Sequence, residues 1–195
     1  MIETVLLVVF AYLVGSIPSG YILGKFAGVD VRQVGSGNVG ATNVARAVGR
    51  WQGAVTLLAD AMKGVVPVAT GLSMNLSPEA IASIASAAFL GHLYPIFLKF
   101  RGGKGVATGL GALLVIAPLA TLLLLAIFAV VAWLTRLVSL SSMIAAALAP
   151  FALWVVLQPP AIVVLGAFLA AMIVWRHRGN IQRLLAGTEP RFGSH

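Results

Sequence analysis

Long apolar runs alternate with short basic windows along this sequence, and that alternation restricts the fold more than any other feature. The first run, Ile2 to Leu23, has 22 residues. At ~1.5 Å per residue a helix of that length reaches ~33 Å, enough for a hydrocarbon core of ~30 Å. Gly53 to about Gly71 is a second run, interrupted by Asp60 and Lys63. Ala80–Leu98, Val106–Thr135, Leu140–Leu157 and Ala161–Trp175 follow. Short turns part several of them, at Met74–Pro78, at Gln158-Pro159-Pro160 and at the Arg136–Ser139 corner. Hydrophobic residues make up 60% of the chain and charged ones 9%, against about 45–50% and about 25% in a soluble domain. The solvent for most of the chain is therefore lipid.

This composition excludes a disordered chain, a disulfide scaffold and a nucleic-acid-binding globule. There are no cysteines, which removes thiol catalysis and thiolate metal sites. The first run is not a plain signal peptide: it lacks a basic n-region, and a glycine-rich polar segment follows it instead of a cleavage site. No soluble domain fits between the runs, so residues 1–195 read as one membrane domain.

The 30 residues from Val106 to Thr135 would make a helix of ~45 Å, too long for one upright span. Ala117-Pro118 lies near the middle, and proline both restrains the residue before it and leaves the helix ladder without a donor. Two short spans turning near Pro118 put twelve of the thirteen Lys and Arg residues on one side, with Lys63 inside a span. The opposite-side segments carry no Lys or Arg, only Glu3 and Glu79. The positive-inside bias favours this arrangement over a single span. The expected fold is an all-α polytopic membrane protein with seven transmembrane helices, the N-terminus outside and the C-terminus cytoplasmic.

The unusual sequence lies on the cytoplasmic side of that arrangement. The first loop contains Gly35-Ser36-Gly37-Asn38-Val39-Gly40-Ala41-Thr42-Asn43, then Arg46. Its glycines let backbone N–H groups approach a ligand, its side chains add donors, and such a nest suits phosphate oxygens. Arg46 adds a possible bidentate contact, and Thr42 or Asn43 is placed to cap a helix entering the second span. The plainer alternative is a flexible glycine-rich connection. The second loop reads Gly91-His92, then Arg101-Gly102-Gly103-Lys104-Gly105-Val106-Ala107-Thr108. Its spacing fails the nucleotide P-loop pattern: Leu98 stands where glycine is needed and Gly105 where Ser or Thr is needed. What remains is a lysine in a glycine turn at a helix start, a point charge suited to an anion. The alternative is a basic anchor, which accounts for Lys99 but not for the glycines around Lys104.

The third window runs from Trp175 to Glu189. Arg176–Leu185 is expected to form a short interfacial helix, with His177 and Asn180 spaced to share a face. A snorkelling basic tail is the competing reading. Asp60 and Lys63, at i and i+3, can pair, either as a structural pair or as part of a site. Gly193-Ser194-His195 reads as a terminal scar and is given no role.

No metal constellation can be read from the sequence: no carboxylate is near His92 or His177 along the chain, and the acids are scattered. No Gly-x-Ser-x-Gly elbow occurs. The His-x-x-x-x-Asp acyltransferase dyad is missing too, because Phe97 and Gln182 stand five residues after His92 and His177. The inventory is many anion-binding groups and no obvious strong base, which fits substrates carrying at least two phosphates and a lipid-soluble part.

The run Gly35-Ser36-Gly37-Asn38-x-Gly40-Ala41-Thr42-Asn43, then Gly91-His92 with Gly102-Gly103-Lys104-Gly105-Val106-Ala107-Thr108, then Arg176-His177 with Asn180-Ile181-x-Arg183-Leu184 and Gly187-x-Glu189, resembles the bacterial acyl-phosphate:glycerol-3-phosphate acyltransferase (PlsY) family. Three motifs in order over nearly the whole chain make the resemblance specific. It implies transfer of a fatty acyl group from acyl phosphate to the 1-hydroxyl of glycerol 3-phosphate, giving lysophosphatidic acid and phosphate in bacterial phospholipid synthesis, without a cofactor. It implies phosphate contacts from Ser36, Gly37, Asn38, Thr42, Asn43, Arg46, His92 and Gly103, and from Ser142 in a matching serine-rich stretch. His177, Lys104 and Asn180 would be catalytic. The expected location is the bacterial inner membrane with the site facing the cytoplasm; partners are the two substrates and membrane lipid, with no nucleic acid, and the oligomeric state stays open.

Acyl phosphate is already activated, so its leaving group needs little acid help. The attacking hydroxyl must lose a proton, to His177 or to the substrate's own phosphate. The missing protein base favours the substrate. The rival class is a small-anion transporter or phosphate-binding channel, which calls for polar groups through the bundle and a repeat relating its halves. The polar residues instead cluster at one face.

Overall fold

The computed structural model describes residues 2–192. The Gly193–His195 segment lies outside them. Among the described residues the chain forms ten α-helices and one 3-10 turn, and no strand. It divides into two compact units that meet in sequence between Val115 and Ile116.

The first unit opens with α1 (Ile2–Gly15) and α2 (Ser19–Phe26). The first apolar run is thus interrupted at Ser16-Ile17-Pro18, where Pro18 has no N–H to continue the ladder. A short α3 (Ala41–Ala47) precedes the long α4 (Arg50–Ser73). Then come α5 (Pro78–Leu93), a 3-10 turn (Ile96–Leu98) and α6 (Val106–Ile116). The start of α5 is written in its sequence: Ser77 caps it by accepting from the Ala80 N–H at 3.3 Å, Pro78 occupies the first turn, and Glu79 follows. Helix α1 packs on α5 and α4. Contact with α5 is close because Gly15 lies against the Ala88 carbonyl, where a Cβ would collide, the small-residue packing that suits helices in lipid. Tyr12 adds a bond from its hydroxyl to the Tyr94 carbonyl at 2.8 Å. Phe89, Ile81, Ile84 and Leu93 are buried within this unit's sequence.

In the second unit, α7 (Pro118–Thr135), α8 (Val138–Val155) and α9 (Pro160–Arg176) form an antiparallel-connected series in which α8 packs on both neighbours. The long apolar run does break at Ala117, with α6 ending at Ile116 and α7 starting on Pro118. Helix α10 (Arg178–Leu185) bends away from α9 by 57°. The chain then returns to the α7–α8 corner, where the Phe192 N–H donates to the Arg136 carbonyl at 2.7 Å.

Among the described residues, five helical segments are long and apolar enough to cross a membrane: Ile2–Phe26, Arg50–Ser73, Pro78–Leu98, Pro118–Thr135 and Val138–Val155. The bent pair α9–α10 makes a sixth if taken as one span. The remaining apolar helix, α6, has 11 residues and reaches only ~16 Å.

Candidate active site

The first polar loop joins α2 to α3. At its entry Asp30 receives the Arg32 guanidinium on both oxygens, at 2.9 and 2.7 Å. The guanidinium also lies 4.6 Å from the centre of the Tyr21 ring. The Arg32 hydrogen bonds hold the Asp30 carboxyl down at about 2, against a smaller opposing effect of burial. Beneath the loop, Val31, Val39, Val44 and Leu98 form a small buried core.

Asn43 is the loop's brace. It is 2% exposed, its amide donates to the Val31 carbonyl at 2.8 Å and the Val34 carbonyl at 3.1 Å, and its oxygen accepts from the Ser36 N–H at 2.9 Å. Asn38 does similar local work, accepting from the Gly40 N–H at 2.8 Å. Gly37 turns the chain with φ +68°, a left-handed conformation that favours glycine. The capping expectation for Thr42 or Asn43 is corrected: Gly40 is the residue before α3, without a side-chain cap, and both residues lie inside α3. The reason is that the chain starts a separate short helix here and enters α4 only after Gly49, φ +154°. Thr42 and Arg46, four residues apart, share one face of α3 and are exposed. Ser36 is exposed as well.

The second loop is built on His92 at the end of α5. His92 is 7% exposed. Its carbonyl accepts from the Gly103 N–H at 3.1 Å, while the Leu93 carbonyl accepts from Gly102 at 3.1 Å. These bonds fold the Gly102-Gly103-Lys104-Gly105 turn back over the imidazole. Gly103 lies so near the ring that a Cβ would run into Nε2. Lys104, half-buried, stands two residues before α6 begins at Val106. This is the lysine in a glycine turn at a helix start that the spacing of the sequence leads one to expect. Behind the ring sits the intramembrane pair: Lys63 Nζ to Asp60 Oδ1, 2.5 Å, both buried.

In the second unit His177 occupies the break between α9 and α10 and is 2% exposed. Its Nδ1 lies 2.8 Å from the Ile173 carbonyl. A carbonyl only accepts, so Nδ1 carries a proton in this arrangement. The Asn180 backbone N–H donates to the His177 carbonyl at 2.8 Å. Its side-chain amide donates to Glu189 Oε1 at 2.6 Å. Ser142 is buried and donates to the Val138 carbonyl at 2.8 Å, one turn back on α8, which leaves its oxygen as an acceptor.

Glu189 belongs to the third motif, but sequence reasoning gave it no role. Its carboxylate accepts from Ser139 at 2.6 Å, Asn180 at 2.6 Å and Arg183 Nε at 2.8 Å. Burial alone would raise its pKa, but the three hydrogen bonds and the Arg183 charge together hold it below the ordinary 4.5. The available signal was its position as the lone acid among the basic residues after Trp175.

Among the described residues no group of three His, Asp or Glu could hold a metal.

The chain matches a family model described as glycerol-3-phosphate acyltransferase over residues 5–187. A glycerol-3-phosphate acyltransferase of Syntrophotalea carbinolica is 48% identical over 184 residues, 93% of this chain and 94% of that protein. One from Geobacter sulfurreducens is 47% identical over 192 residues, covering 98% and 99%. The crystal structure of PlsY (YgiH), an integral membrane glycerol 3-phosphate acyltransferase, in its glycerol 3-phosphate form has a TM-score of 0.95 and 40% identity, covering 98% of this chain and 96% of that one. The lysophosphatidic acid form gives 0.92 and 39%. These likenesses favour the enzyme over the anion transporter. Matched by the family model over residues 5–187 and by relatives 48% and 47% identical along almost its whole length, the chain belongs to the glycerol-3-phosphate acyltransferase family.

Proposed function

We propose that this protein transfers a fatty acyl group from acyl phosphate to the 1-hydroxyl of glycerol 3-phosphate at the cytoplasmic face of a bacterial inner membrane. The observation that carries the reading is the likeness to PlsY in its glycerol 3-phosphate form, TM-score 0.95 over 98% of this chain. That likeness joins a site made of phosphate-binding groups. The chain crosses the membrane seven times as a single catalytic domain, N-terminus outside and C-terminus cytoplasmic, with α6 as a short crossing. Twelve of thirteen basic residues on one side support that orientation.

In the proposed reaction the hydroxyl oxygen of glycerol 3-phosphate attacks the acyl carbonyl carbon. The bond from that carbon to the phosphate oxygen breaks, phosphate leaves, and the hydroxyl proton passes to a phosphate oxygen of the substrates. Arg46 and Lys104 hold phosphate charge. Exposed Ser36 and Thr42, with the backbone of Gly37 and Gly103, add hydrogen bonds. Asn43 and Asn38 serve by holding the first loop's shape. His177, Asn180 and Ser142 serve the same reaction as the family pattern assigns them. The enzyme contributes orientation and charge stabilisation rather than a strong base.

Purified protein given glycerol 3-phosphate with acyl phosphate, acyl-CoA or acyl carrier protein tests the donor: product should form with acyl phosphate alone, and efficient use of a thioester would refute that donor. The His177→Ala variant tests the base. Substantial remaining turnover supports the substrate's phosphate, whereas a large, selective loss repaired by added imidazole assigns the proton to His177.

A further inference from the structure

Asp60 and Lys63 belong to none of the three polar loops, yet they lie directly behind one of them. Both are buried, at 2% and 5% exposed, in the interior of α4. Asp60 Oδ1 lies 2.5 Å from Lys63 Nζ and 3.8 Å from His92 Nδ1. Its backbone carbonyl accepts from Thr108 Oγ1 on α6 at 2.8 Å. The opposite edge of the His92 ring, Nε2, faces Gly103. One residue of α4 therefore meets α5 at His92 and α6 at Thr108, the two helices between which the Lys104 turn is strung. Asp60, Lys63 and His92 also line a crevice together with Val39 of the first loop and Pro95.

We infer that Asp60, anchored by Lys63, is a positioning residue that fixes the His92 ring against the Gly102–Gly105 turn. The inference rests on the acyl-transfer reading of that turn. At 3.8 Å the Asp60 carboxylate is beyond hydrogen-bond distance of Nδ1 and acts on the ring through its charge, which favours the ring proton on that side and so sets what Nε2 presents to Gly103 and, through that turn, to Lys104. Lys63 neutralises the carboxylate within the apolar span and keeps it in one rotamer. A pair with only a packing role needs no His92 beside it.

The test is a cycle of variants. Asp60→Asn with Lys63→Met removes both charges together, leaving no lone buried ion. It is compared with the parent chain, with His92→Ala, and with all three changes combined. Turnover of acyl phosphate and glycerol 3-phosphate is counted per folded protein, and the His92 ring 15N shifts are recorded in each chain that keeps the ring. The neutral pair should lower turnover at least tenfold beside His92 and less than twofold once His92 is Ala, and it should move the ring shifts. Turnover within twofold of the parent overturns the inference. So does a tenfold loss repeated in the His92→Ala background, which is general scaffold damage. If the neutral pair does not fold in detergent, Lys63→Arg replaces it, with a several-fold loss beside His92 and none without it. A parent chain that makes no lysophosphatidic acid refutes the reaction reading; the ring shifts then decide the positioning role, and unmoved shifts overturn it.

Discussion

The glycine-rich loops of the first unit and the third polar window of the second are built on opposite plans. In the first unit, uncharged groups hold the backbone: the Asn43 amide ties Val31, Val34 and Ser36 together, and main-chain bonds fold Gly102 and Gly103 over His92. The cation Arg46 stands exposed on α3, and Lys104 is half-buried in the glycine turn. In the second unit a charged group is the scaffold, with Glu189 gathering Ser139, Asn180 and Arg183. The difference teaches which substitutions should cost turnover and which should cost structure. Removing a cation from the loops should leave a folded, slow enzyme. Removing the carboxylate hub should loosen the window itself.

The largest effect expected is on Arg46→Ala and Lys104→Ala. Loss of a group that stabilises transition-state charge lowers turnover about 10²–10³-fold, with melting temperature nearly unchanged. A collapse in melting temperature instead would erase the contrast. Next comes Glu189→Gln, which weakens three hydrogen bonds to a charged acceptor and should destabilise the second unit by about 1–3 kcal/mol. Its pH dependence has a definite sign. Because the folded carboxyl titrates below 4.5, its contribution is complete above that value and is lost as pH falls through the lowered pKa. The gap in melting temperature between parent and Glu189→Gln should be constant near neutrality and close in acid.

Asn43→Ala should cost about 1–2 kcal/mol of local stability, by leaving buried carbonyls unmatched. Faster hydrogen exchange over residues 31–43 would show it, with weaker substrate binding as the consequence. The smallest effect belongs to Asp30→Asn. Its bidentate bond to Arg32 is at the surface, where screening by water leaves little net gain, so the melting temperature should barely move.

Much of the helix pattern was legible because lipid demands long apolar runs. The break at Pro118 could be read because the run around it was too long for one span. The break at Pro18 could not, since the 22-residue run was already the right length. Proline alone does not decide: Pro67 and Pro150 sit inside continuous α4 and α8, where neighbouring groups in a bundle absorb the missing bond. The i, i+3 spacing of Asp60 and Lys63 foretold their pairing, since both ends lie on one turn. Their meeting with His92 and Thr108 was hidden, because it depends on how three helices pack. Asn43 shows the same limit: its place among many donors marked an anion site, but only the fold turns its amide inward. Glu189 reaches Ser139 across fifty positions of sequence, a distance that no local pattern encodes.

On the proposed function, the loops bind phosphates in order to transfer an acyl group. Purified protein supplied with acyl phosphate and glycerol 3-phosphate tests it by counting both products in one vessel. One phosphate should be released for each lysophosphatidic acid formed, with both dependent on glycerol 3-phosphate and both lost together in Lys104→Ala. Phosphate release without lysophosphatidic acid, or anion flux through liposomes with neither product, would contradict it.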